Sequence, residues 1–452
     1  MGLSRYVSSI FKRQAWNNNE TYLLLITGDG RTFIFDGNSY QLIKELPQVG
    51  GDDIFWDPNN PNKLIFPLDN TLYSYNIATD KLEIIKTFSS YALINTRGEG
   101  NLSNDGRYYA FLGQIDNPYN PYKDIVVYDL QQNSVIATLA LPTNLENFDW
   151  VSISPKGNYV VVDYATENTG RFQGVEVYTR NMQFLWQKPL GYGHSDLAID
   201  ENGDEFLIMD SYDPIKNCNS IKKFKLSDGT ETSLLDYSWQ FDSHISTRHF
   251  NNDGWILIST FDGPARLTDD SLSWLPFEDE IFFLKMNGSQ LVKRIAHHRS
   301  KRFSPITPDP DNSCYWAEPH ATISPSGTRI LSGSNWRMNV HLDESVDAYI
   351  IDLRNLLSAE KTNDFLQLNL YQNYPNPFNS SSIIKFYLPE QTRVTLNIFD
   401  SIGRKIASLI DQILDKGSYE IPFSSELLNT GVYFFQLKAG NNTLTKKMIH
   451  LK

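Results

Sequence analysis

The chain has 452 residues, with 53 acidic against 40 basic side chains and a net charge of −13. That acidic surplus excludes broad binding to nucleic acid or anionic membranes, which needs clustered Lys and Arg, but it leaves room for a local basic site facing an acidic sugar. No apolar run reaches the ~18 residues of a membrane span; Cys218 and Cys314 lie outside any CxxC pattern, which argues against a thiolate zinc site, and as they fall in different repeats both are read as thiols rather than as a disulfide.

Met1 to Lys12 carries basic residues but lacks the ~7–15-residue apolar stretch of a signal peptide. From Arg13 onward one phrase recurs about every 45 residues. It consists of a short apolar strand, a polar turn and a second, more apolar strand. The second strands are Tyr22 to Ile26, Lys63 to Phe66, Tyr108 to Leu112, Tyr159 to Val162, Phe206 to Met209, Trp255 to Ser259 and Arg329 to Leu331. The turns before them are rich in Asn, Asp and Gly, which adopt the left-handed backbone of tight hairpins at little cost.

A small sheet of this kind cannot bury both faces alone, and packing seven radially around an axis does so. The pattern predicts an all-β chain with a seven-bladed β-propeller over residues 1–357. The blades start near residues 13, 52, 97, 147, 193, 242 and 315. A β-sandwich or two stacked barrels is the alternative. How the ring closes is not evident, and the stretch before Arg13 is a candidate outer strand for the last blade. The turns Ser154-Pro155-Lys156-Gly157 and Ser324-Pro325-Ser326-Gly327 resemble those of WD-like and Tol-type propellers.

A polar linker, 358–365, precedes a final module over 366–452. The module opens with Gln372-Asn373-Tyr374-Pro375-Asn376-Pro377-Phe378-Asn379. It continues through Val394-Thr395-Leu396-Asn397-Ile398-Phe399-Asp400 and closes with Gly431-Val432-Tyr433-Phe434-Phe435-Gln436-Leu437. Alternation of Val394, Leu396 and Ile398 with Thr395, Asn397 and Phe399 gives one inward and one outward face, as in a small Ig-like β-sandwich. This succession resembles the type A C-terminal sorting domain of type IX secretion cargo, with Ser380 where the family usually has Pro. The resemblance implies a partner in the type IX machinery and release to the exterior or the outer cell surface. Since cargo carries a signal peptide, the N-terminus is read as truncated. The protein is expected to be a monomer without a membrane span or nucleic-acid partner.

Laid in register on the first turn, the repeats place Asp53, Glu99, Trp150, His194, His244 and His320 at or just before the start of each innermost strand. Such starts crowd around one mouth of a propeller channel. Three of eight histidines at equivalent positions in neighbouring blades predict a site. His194, His244 and His320 are candidate ligands for one divalent ion (Mn, Zn or Ca). His194, His244, Arg248 and Tyr315 are candidate catalytic residues. A histidine could move a proton, Arg248 could hold a carboxylate, and Tyr315, Trp316 and Glu318 could add a stacking platform and a base. A hydrogen-bonded channel with no activity is the plain alternative.

His249 reads as structural and the Asp309–Asn312 stretch as a turn. The basic run His297-His298-Arg299 and Lys301-Arg302 reads as a solvated loop, unless it folds over the same mouth and attracts an anionic polymer. The phrases around His194, His244 and His320 partially resemble bacterial propellers related to oligogalacturonate lyase. That likeness implies β-elimination on uronic acids, without transferring a ligand set. Two functions stay open: an enzyme on extracellular acidic polysaccharide, lyase-like, and a non-catalytic surface propeller binding glycan or protein.

Overall fold

The computed structural model describes residues 6–7, 13–117, 121–143, 145, 147–166, 168–190, 193–247, 249, 254–262, 275–300, 317–336, 346–354, 368–424, 428–440 and 442–451; Arg248, Tyr315, Trp316, Cys314, Lys301, Arg302 and the Asp309–Asn312 stretch lie outside them. Two compact units result, Met1–Asp352 and Leu353–Lys452.

In the first unit each sequence repeat folds as one antiparallel sheet, and the seven sheets form a seven-bladed β-propeller. Among the described residues six sheets have four strands and the last has three. Blade 5 comprises Ser195–Ile199, Glu205–Asp213, Cys218–Lys225 and Glu231–Tyr237. Blade 6 comprises Phe241–Ser246, Trp255–Asp262, Glu280–Lys285 and Val292–His297. Blade 7 comprises Thr322–Ile323, Arg329–Ser334 and Asp347–Asp352.

The continuous apolar runs of the second strands have a packing cause. In Tyr108–Gln114 every residue is buried, because each blade is covered on both faces by its neighbours. The apolar clusters accordingly lie between blades. One joins Ala110, Leu112 and Val127 of blade 3 to Val151, Val160 and Val162 of blade 4. Another joins Ile208 and Ile221 of blade 5 to Ile245, Ile256 and Phe282 of blade 6. Gly157 shows why the turns need glycine: its φ is +71°, and a Cβ there would lie 2.3 Å from the Tyr108 ring of the preceding blade.

The ring closes through side chains of blades 7 and 1. Leu331 packs with Ala15, Trp16, Leu23 and Leu25. The Glu20 carboxylate accepts the Ser326 amide at 2.6 Å and pairs with the buried Arg329 guanidinium, which also lies over the Trp16 ring. Tyr6–Val7 is not an outer strand of the last blade. It pairs with Ile26 and Thr27 of blade 1. Trp16 bridges Leu23 on that edge, and Tyr6–Val7 extends the same edge beyond it.

The second unit is a two-sheet sandwich. One sheet orders Asn369–Leu370, Ser381–Leu388 and Gly417–Ser424; the other orders Lys405–Leu414, Thr392–Asp400, Gly431–Ala439 and Asn442–His450. Val394, Leu396 and Ile398 are fully buried in its core beside Ile384, Phe386 and Phe435. The opening motif clamps the last strand. The Asn376 side chain accepts the Ile449 amide at 2.8 Å, the Phe378 amide donates to the Ile449 carbonyl, and the Leu451 amide donates to the Phe378 carbonyl.

Candidate functional site

His244 stands inside the inner strand of blade 6, paired across to Ser259. His320 lies just before the inner strand of blade 7 with φ +40°, a conformation few non-glycine residues adopt. Serines staple the two blades together here. Ser259 Oγ accepts the Ala321 amide at 3.3 Å, and Ser246 Oγ accepts the Ile323 amide at 3.4 Å. The two imidazoles consequently stack, with centroids 4.3 Å apart and planes 24° from parallel.

Glu318 joins them. Its Oε2 lies 3.1 Å from His244 Nε2 and 3.8 Å from His320 Nε2. One donor atom from each of His244, Glu318 and His320 falls within 4.8 Å of the others. These residues are 0 %, 2 % and 1 % exposed, so the group is closed off from bulk solvent. Phe261 closes one side, its ring 4.7 Å from that of His244.

His194 packs edge-on against His244, centroids 4.4 Å apart, but it stands outside the converging trio and is only half-buried. Its carbonyl accepts the Asp210 amide. Asp210 is buried in blade 5, where its carboxylate accepts the Ser243 amide at 3.3 Å and hydroxyl at 3.0 Å. Burial pushes its pKa up to about 6, His194 opposes that shift, and Asp242 adds to it. Nearby, Asp196 Oδ2 accepts both the amide and the hydroxyl of Thr247 at 2.9 Å, fixing the chain next to Arg248.

The other register positions serve the scaffold. Asp53 is buried and binds blade 3: its carboxylate accepts the Thr96 amide and hydroxyl and the Gly98 amide. Trp150 fills the core between blades 4 and 5, and Glu99 is half-buried. His249 lines a cleft with Trp16, Trp56 and Asn104, at the turn end of the inner strands. Sequence reasoning gave Glu318 the part of a base; the structure places it within reach of both imidazoles. Its spacing of two residues from His320 was the available signal. Asp210 and Phe261 carried no such signal, since neither falls in the repeat register.

Residues 372–451 match the family of secretion system C-terminal sorting domains. This segment is a type IX sorting domain. It implies engagement with the type IX secretion machinery and secretion or display at the cell surface. No helix among the described residues is long and apolar enough to cross a membrane.

Among curated proteins, no sequence matches the chain significantly. Among solved structures, an oligogalacturonate lyase in complex with manganese aligns at 14% identity and a TM-score of 0.54, over 78% of this chain and 92% of its own. The oligogalacturonate lyase of Vibrio parahaemolyticus aligns at 11% identity and a TM-score of 0.52, over 77% and 90%. At such identities the likeness shows the shared propeller fold alone.

Proposed function

We propose that this sorted propeller is an enzyme acting on extracellular acidic polysaccharide by β-elimination, with a divalent metal held by His244, Glu318 and His320. The observation that carries the reading is the buried convergence of those three side chains. Two imidazoles and a carboxylate are a donor set suited to manganese or zinc, and their separations fit ligands around one ion. The chemistry such an ion supplies is Lewis-acid stabilisation of the negative charge that grows on a uronate when its α-proton leaves.

Burial divides the histidines by role. His244 and His320 are sealed from solvent and suit ligation. His194 is half-buried and suits the base, because it can touch both the trio and an incoming sugar. Arg248 remains the candidate for a grip on the substrate carboxylate, and Tyr315 remains a candidate catalytic residue.

The test is release of unsaturated, ultraviolet-absorbing products from a panel of uronic-acid polymers. With Mn²⁺ present, the wild type should release them and a chelator should abolish release. His244→Ala should lose both metal and activity. His194→Ala should keep the metal and lose about 100-fold or more in kcat. Failure of the wild type on every uronic-acid polymer, with no stoichiometric metal bound, would sink the reading in favour of a binding propeller.

A further inference from the structure

The short strap 297–300 that leaves blade 6 is pinned to the chain beside Phe261 and Glu318. His298 is buried, and its Nε2 lies 2.8 Å from the carbonyl of Thr260, the neighbour of Phe261. The Ser300 amide donates to His298 Nδ1 at 3.1 Å, so the ring proton sits on Nε2 and the Thr260 contact is a donated hydrogen bond. The Ser300 hydroxyl bonds the carbonyl of Ala317, the neighbour of Glu318. Ser334 Oγ in turn donates to the His298 carbonyl at 2.6 Å.

Between the two buried residues Arg299 is forced outward at φ +60°. A non-glycine residue in that region is costly and persists where its surroundings over-determine it. Arg299 is exposed and enters no ion pair among the described residues. It lines a pocket with Arg294, His297, Asp279, Glu280, Leu275 and Pro276. The two acids are buried and already engaged. Glu280 meets Arg294 Nε at 3.1 Å and His297 Nε2 at 3.5 Å, while Asp279 lies 3.7 Å from His298 Nε2. Because Glu280 takes the Nε side of Arg294, the outer fork of that guanidinium is available, as is all of Arg299.

We infer that Arg294, His297 and Arg299 form a subsite for the carboxylate of a second acidic sugar, flanking the one that reacts at the histidine mouth. This rests on the acidic-polysaccharide reading and extends it: the enzyme grips a chain of at least two uronate residues. Two guanidinium forks suit a planar carboxylate, and with Asp279 and Glu280 buried against their own partners it is the exposed Arg299 that meets an incoming anion.

Binding of the full chain to an oligomer of galacturonic acid, to its methyl ester and to a sulfated neutral glycan tests the inference by calorimetry. The wild type should bind the acid and not the ester. Arg299→Ala should weaken that binding by about tenfold or more, since a charge-assisted contact is lost. Arg299→Glu should weaken it further and Arg299→Lys should restore part of it, with bound metal and melting temperature unchanged in all three. Wild-type affinity for the acid in both Arg299→Ala and Arg294→Ala overturns the subsite while leaving the cleavage reading intact. Stronger binding of the sulfated glycan overturns the carboxylate assignment. Binding of none of the three overturns the subsite, and the cleavage reading then stands or falls on product release.

Discussion

Asp210 shows how the site's surroundings are tuned at the scale of one residue. Its folded pKa rises from the ordinary 3.8 to about 6 because burial disfavours the charged form. The protonated acid therefore suits the fold better than the carboxylate. The stability it contributes is fully present below pH 3.8 and is lost as pH rises through about 6. Asp210→Asn keeps an oxygen for Ser243 and never ionises. Its unfolding free energy should match the wild type near pH 4 and exceed it at pH 8, by up to about 3 kcal/mol. An equal difference at both pH values would show that ionisation of Asp210 is not the cause.

At the scale of the element, the decisive joint is the ring closure. Burial by itself would raise the pKa of Glu20, but hydrogen bonds from Ser326 and Arg329 outweigh it and hold the value below the ordinary 4.5. The clasp is thus fully present above pH 4.5 and is lost as pH falls through the lowered folded value. Glu20→Ala leaves the guanidinium of Arg329 buried without its partner, which costs about 3 kcal/mol or more. Thermal unfolding at pH 7 should show the loss, and hydrogen exchange should report it first in blades 1 and 7. Exchange that accelerates equally in all blades would mean the clasp is not the weak joint.

At the scale of the whole molecule, propeller and sorting sandwich have separate cores, and the cluster around Ile384, Leu396 and Phe435 draws only on the second unit. Removing residues 366–452 should leave metal content and the propeller's melting temperature unchanged. It should also abolish export from a host with type IX secretion. Export of the shortened chain would overturn the address; a lowered propeller melting temperature would show that the sandwich supports the propeller.

The repeat, the blade number and the sorting domain were legible in the sequence because they rest on local chemistry. Left-handed turns demand Gly and Asn, doubly covered strands demand apolar runs, and the Asn373–Phe378 motif clamps a strand within its own sandwich. The histidine register was legible for the same reason, since one repeat position is one place around the axis. What the tertiary structure decided is which of those positions converge. Asp53 binds the backbone of blade 3, Trp150 fills a core, and Glu318, outside the register, meets His244 and His320. Glu318 lies 74 residues beyond His244 in the chain, and it is the packing of blade 6 against blade 7, with serine hydrogen bonds between them, that brings their side chains together.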